Sequence, residues 1–253
     1  MRVLALLLLG LWASPVAAES LILSLSSNKV QIHSNFTGAE LAVFGSIERD
    51  AATISRSSAY DVTVTVRGPR GAVIVREKRQ WGPFWLNLAQ RKYIAVPSFI
   101  SVLANRELDG IAGDALRQKL RIGVNTLVPP RVDPGKLEDY EEPEFRKALI
   151  RLRERQNLFG EDAHGVTFLT PSLFKAIIAI PGKAPLGNYD VEAAVFAENV
   201  QLVKASTSFT VNKFGIEDVL AKAARERPFS YGLLTISLAC LIGWLASVIF
   251  RRD

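Results

Sequence analysis

His33 and His164 are the chain's only two histidines, so a histidine-based catalytic triad or an imidazole-bound metal must use one of them. His33 follows Val30 and Ile32 in a strand-like run and falls on a half-exposed face. His164 sits in GEDAHG, where Glu161 and Asp162 give the carboxylates a divalent ion would need. The same six residues also read as a polar connection after a helix. No Gly-x-Ser-x-Gly elbow, His-Glu-x-x-His pair, phosphate loop, dinucleotide fingerprint or Cys-x-x-Cys occurs. The single cysteine, Cys240, lies inside an apolar run, out of reach as an exposed nucleophile. The expectation is a protein with no catalytic residue, no metal and no cofactor, which is not an enzyme.

Aromatic and basic residues are better suited to binding. Trp81, Phe84 and Trp85 surround Gly82-Pro83, three large rings at one turn. Exposed, they anchor a partner; buried, they form the core of a sandwich. The basic set depends on the run DVTVTVRGPRGAVIV, read as a hairpin turning at residues 68–71. If Val62, Val64 and Val66 point inward, Arg67, Arg76 and Lys78 project from the other face, with Arg70 at the tip. Arg79, Arg91 and Lys92 extend that face. Such a patch attracts a small anion or an acidic partner, and a solvated sheet face has the same composition. The net charge of +6 is spread without a lysine/arginine block, which argues against nucleic acid as a partner.

The elements that position these residues are mostly strands. KVQIHS, ELAVFGSI, YDVTVTVRG, AVIVREKR and KYIAVPSF alternate with period two and are rich in β-branched residues. LDGIAGDALRQKLRIGV reads as helical. The run LEDYEEPEFRKALIRLRERQNLFG reads as a longer helix, with Pro143 in its first turn and Gly160 as its C-terminal cap. Phe145, Leu149, Leu152 and Phe159 would be its apolar face. The β pattern returns after Val166, and in GNYDVEAAVF Tyr189 is placed as the corner tyrosine of an immunoglobulin-like sheet.

Both ends are apolar. Arg2, the run from Val3 to Trp12, Pro15 and the small residues Val16 and Ala18 make a secretory leader cleaved after Ala18. Gly232 to Phe250 carries no charge and is long enough to cross a bilayer, with Phe229 and Tyr231 at one boundary and Arg251 and Arg252 at the other. Export of the body by the leader places the two arginines in the cytoplasm. Ala239, Gly243 and Ser247 recur four apart, a spacing that lets two helices approach closely and that is also common in solitary spans. Just upstream, IEDVLAKAARERP reads as a short helix ended by Pro228. Asn35-Phe36-Thr37 is taken as a turn.

Several stretches in order resemble one family: residues 35–47, 61–69, 81–87, 96–99, 173–191, and the span with its Tyr231-Gly232 start and Gly243-Trp244 to Arg251-Arg252 end. They are similar to the single-span inner-membrane proteins of the alphaproteobacterial transmembrane protein family, over nearly the whole mature chain. Pro83-Phe84 departs from the smaller residue expected before the tryptophan. The resemblance implies an inner-membrane protein and, by association with sulfite-exporter-type permeases, a transport-linked role; it carries over no catalytic residue.

The resulting expectation is a mainly β chain: an immunoglobulin-like antiparallel β-sandwich of one or two lobes, a helical insertion and one C-terminal transmembrane helix. Its parts are a leader (1–18), a β region (19–105), the helical insertion (106–160) and a second β region (161–212). A juxtamembrane helix (213–228), the span (231–250) and a cytoplasmic tail (251–253) follow. The expected protein sits in the bacterial inner membrane with its N-terminal domain in the periplasm. It would act by binding: as an accessory to a permease or assembly, as a homodimer through the span, or as a sensor of a sulfur oxyanion or sulfonate. A membrane-tethered enzyme is the least favoured reading. Partner sites would be Trp81, Phe84, Trp85, Ala239, Gly243 and Ser247, and the anion site Arg67, Arg70, Arg76 and Lys78.

Overall fold

The computed structural model describes residues 19–32, 38–49, 59–129, 142–213 and 223–249. The leader with its cleavage site, His33, the Asn35 turn, most of the juxtamembrane helix and the arginines of the tail lie outside the described residues. The chain divides into a β-rich body, built from the segment up to Val30 and residues 37–211, and a smaller unit that holds the C-terminal helix.

The body is mainly β, in several sheets. Strands β1 (Glu19–Leu25), β3 (Gly38–Arg49), β9 (Val166–Thr170) and β10 (Leu173–Pro181) form a four-stranded sheet in the order β1-β3-β10-β9. A six-stranded sheet runs β2-β12-β11-β4-β7-β8. Its members are β2 (Lys29–Ile32), β4 (Asp61–Arg67), β7 (Ile100–Ala104), β8 (Phe159–Asp162), β11 (Gly187–Ala197) and β12 (Val200–Lys213). The third sheet is a two-stranded ribbon of β5 (Arg70–Trp81) and β6 (Phe84–Pro97).

Alternation of side chains builds the core. Leu41, Val43 and Ile47 of β3 and Phe174, Ala176, Ile178 and Ile180 of β10 are buried every second residue. Gly45 interrupts this row for a steric reason: the Phe174 ring lies on it, and a Cβ there would come within 2.0 Å of the ring's Cζ. On the six-stranded sheet, Val62, Val64, Val66, Val191, Ala193 and Val195 are all fully buried.

The expected turn at residues 68–71 is not a hairpin turn. Strand β4 pairs with β11 on one side and β7 on the other, so it has no free edge for β5. Its two faces are also both covered, because Thr63 and Thr65 are buried along with the valines. At Gly68-Pro69 the chain instead runs beside Ser98-Phe99, joined by Gly68 N–H to Phe99 O and Ser98 N–H to Pro69 O, both 2.9 Å. The ribbon β5–β6 therefore continues outward from the β4–β7 pair, and its reversal is at Gly82-Pro83. Gly82 takes a positive φ of 60° at the first loop position, as a type II′ turn demands.

Among the described residues between β7 and β8 are the helices α1 (Leu108–Ile111), α2 (Asp114–Leu120), α3 (Val124–Leu127) and α4 (Glu142–Arg155). Helix α4 stops before the expected Gly160. Asn157, at φ 57°, takes the left-handed position; Asn157 N–H donates to Glu154 O and Leu158 N–H to Arg153 O, which closes a Schellman motif. Gly160 belongs to β8, which pairs with β7 in parallel, an exception to the antiparallel expectation. Phe145 and Leu149 are buried on α4, Leu152 is exposed, and the buried Phe159 belongs to β8.

In the smaller unit, helix α5 (Pro228–Ile249) has 22 residues, and an 18-residue window within it has a mean hydropathy of 2.2. At 1.5 Å per residue it is about 33 Å long, enough for the hydrocarbon core of a bilayer. Pro228 opens this helix, where a proline's missing N–H costs nothing, and the helical residues 223–226 upstream stop just before it, as expected.

Candidate functional site

The aromatic turn is exposed. Trp81, Phe84 and Trp85 keep 69%, 64% and 65% of their surface in solvent, so the alternative that made them sandwich core is excluded. They cap the far end of the ribbon, where every residue from Lys78 to Asn87 is exposed on both faces. At the near end the ribbon is anchored: Val75, Tyr93 and Val96 are buried, α4 packs beside β5, and the Arg91 guanidinium lies 5.0 Å over the Phe145 ring. The feature is an arm, rooted in the body and free at its aromatic tip.

The four expected anion-binding residues do not share a face, because β4 and β5 do not pair. Arg76 and Lys78 line a cleft of about 550 Å³ between β5 and α4, with Arg79 and Arg151 and the carboxylates Glu77 and Glu144. Arg67 and Arg70 lie at the root of the arm. Arg67 holds Glu192 of β11 at 2.8 Å, and with Arg70 and Arg121 it lines a smaller cleft of about 210 Å³. An adjoining cleft of about 270 Å³ is shared by Arg67 and Arg121 and adds Lys119 and Lys204, with Glu192 its only carboxylate. Arg121, Lys119 and Lys204 were missed by the sequence reading. They come from α2, its C-cap and β12, and no local pattern links them to Arg67.

Other polar residues have structural work. Glu161 Oε1 accepts the Val124 N–H at the start of α3, and Asp162 Oδ1 accepts the His164 N–H at 2.8 Å. Both carboxylates of GEDAHG thus serve the backbone. Asp61, buried at the start of β4, accepts Arg106 Nε at 2.7 Å and Asn105 Nδ2 at 3.2 Å. The bond to Asp61 raises the Arg106 guanidinium further above its ordinary value.

Tyr189 stands near the start of β11, fully buried, stacked on Phe209 at 5.1 Å, with its hydroxyl donating to Pro185 O at 2.7 Å. Burial pushes its phenol up to about 12. An unfolded tyrosine ionises near pH 10, so the folded state holds this proton more tightly. Stability from Tyr189 is therefore complete below about pH 10 and is lost as pH rises towards 12. Phenolate absorbance in an alkaline titration should show a late step towards pH 12, and Tyr189→Phe should remove that contribution.

On the span, no residue from Pro228 to Ile249 is buried, so Ala239, Gly243 and Ser247 lie on an uncovered surface. Cys240 is exposed on the same helix.

No curated protein matches the chain. A family model of transmembrane proteins, Alph_Pro_TM, matches residues 20–252, which takes in the body, the arm and the span together. The chain is a member of that transmembrane protein family.

Proposed function

We propose that this is a periplasmic binding protein held in the inner membrane by its C-terminal span, serving as an accessory to a transporter or assembly there. The observation that carries this reading is the span itself: a helix of membrane length with no buried residue, presenting the small residues Ala239, Gly243 and Ser247. The body is read as an immunoglobulin-like sandwich. The strand orders β1-β3-β10-β9 and β12-β11-β4-β7 match the A-B-E-D and G-F-C-C′ sheets of such a sandwich, and Tyr189 bonds back to Pro185 as a corner tyrosine does. Sandwiches of this kind most often work by recognition, although the fold alone assigns no partner.

The test is a cross-linked pull-down of the full chain beside a version whose span is polyleucine. Loss of a membrane protein from the polyleucine sample supports docking through the small-residue face; identical recoveries overturn it. A reporter fused after residue 210 tests the topology, and activity on the cytosolic side would sink the reading.

A second reading, a sensor of a small anion, is favoured by the root of the arm, where Arg67, Arg70, Arg121, Lys119 and Lys204 surround adjoining clefts with Glu192 the one carboxylate. Calorimetry of the full chain against sulfite and a simple sulfonate should give heat that Arg121→Ala abolishes. No heat with either anion removes this reading.

A further inference from the structure

We propose that the tip of the β5–β6 arm is a second membrane contact, seated in the interfacial layer of a bilayer. The observation is the order of residue types along the arm. Trp81, Gly82, Pro83, Phe84, Trp85 and Leu86 form a tip without a charge, and the three rings and Leu86 are all exposed. Behind the tip, from Arg76 to Lys92, stand five basic residues, Arg76, Lys78, Arg79, Arg91 and Lys92, against one acidic residue, Glu77. Arg79 pairs with Glu77 at 2.8 Å and Arg91 is held over Phe145, so the net charge behind the tip is carried by Arg76, Lys78 and Lys92.

Tryptophan and phenylalanine next to lysine and arginine match the layers of a bilayer surface, where rings settle at the headgroup level and cations meet anionic phosphates. A protein partner fits less well. A stable protein interface buries about 800 Å² per side, more than three rings at about 150–250 Å² each supply on a narrow tip. A lipid surface needs no such complementarity. A bare two-stranded ribbon is also only marginally stable in water, so an arm exposed on both faces gains from a surface that covers its end. The chain supplies that surface, since the helix Pro228–Ile249 tethers the same polypeptide to a membrane and raises the effective concentration of bilayer around the arm.

The chain has four tryptophans, Trp12, Trp81, Trp85 and Trp244. The full chain carrying Trp12→Phe and Trp244→Phe therefore reports emission from the tip alone. It is reconstituted in vesicles of phosphatidylethanolamine and phosphatidylglycerol, with and without bromine on the acyl chains near the headgroup. The expected result is blue-shifted emission, lost when the lipid is brominated, and less lost in vesicles of phosphatidylcholine alone. Phe84→Ser leaves both reporters in place and, being an exposed site, leaves the body folded; it should weaken the tip's partition about tenfold, seen as recovered emission. Red-shifted emission indifferent to bromine places the tip in water and overturns the proposal. Blue-shifted emission indifferent to bromine places it against protein, a second copy or another partner, and overturns it equally.

Discussion

Arginine at both Leu238 and Ile242 is expected to release the chain from the membrane. The two positions are one turn apart near the middle of α5, on a helix with no buried residue, so neither side chain can hide within the protein. At a helix centre, leucine or isoleucine favours insertion by about 0.5 kcal/mol and arginine opposes it by about 3, so the pair costs on the order of 7 kcal/mol. Snorkelling relieves arginines near the ends of a span far better than those at its middle. Extraction of membranes with alkaline carbonate should leave the parent chain in the pellet and move the double variant to the supernatant. A Leu238→Val, Ile242→Val control should stay with the parent. If the arginine variant also stays, something other than α5 holds the protein to the bilayer.

Gly45→Val should be the most damaging single change in the body. A methyl group at Gly45 would meet Phe174 Cζ at 2.0 Å, Cε1 at 2.4 Å and Cε2 at 2.7 Å. The ring is fully buried, so it cannot swing into solvent to make room. Gly45 is also central, paired with Leu23 of β1 and with Phe174 of β10. Overpacking of a well-filled core costs about 1–3 kcal/mol, and valine adds two further methyl groups to an already forbidden contact, so a loss of about 3 kcal/mol or more is expected. Denaturant unfolding of the full chain in detergent, followed by near-ultraviolet circular dichroism, measures it. Phe174→Leu in the same chain should recover part of the loss by opening space above the strand. Absence of such recovery would mean that the ring is not what excludes a side chain at residue 45.

These contacts mark the limit of what residue order can reveal. The strand at β4 was legible as Val62, Val64 and Val66 alternating with Asp61, Thr63 and Thr65, yet the same alternation suggested an outer face open to water. Thr63 and Thr65 are buried because Lys119–Ile122 arrive over that face from a distant part of the sequence, and nothing in a period-two pattern encodes such a cover. Gly68-Pro69-Arg70-Gly71 has excellent local turn chemistry, yet the chain reverses between Trp81 and Phe84. Pairing with β7 and β11 overrides it, because two-sided backbone bonding on a central strand outweighs a local preference. The helix stop fell to Asn157 in place of Gly160 for a related reason: asparagine tolerates the left-handed region, and Leu158 reaches burial only if the turn closes there. Tyr189 and the apolar span were legible because their signals are local, a glycine two residues before the ring and an unbroken run of uncharged residues. The convergence of Arg67, Arg70 and Arg121 was hidden because it depends on three separate elements.

The paired bonds between Gly68-Pro69 and Ser98-Phe99 bring the ends of residues 70–97 side by side. An insertion that enters and leaves a domain through neighbouring backbone is a cassette. Lengthening or shortening it changes loop-closure entropy only logarithmically, roughly 0.6 kcal/mol per doubling. Natural variation could therefore alter the reach of this projection, or trade its tip for another, while β4 and β7 continue to zip the parent domain closed beneath it.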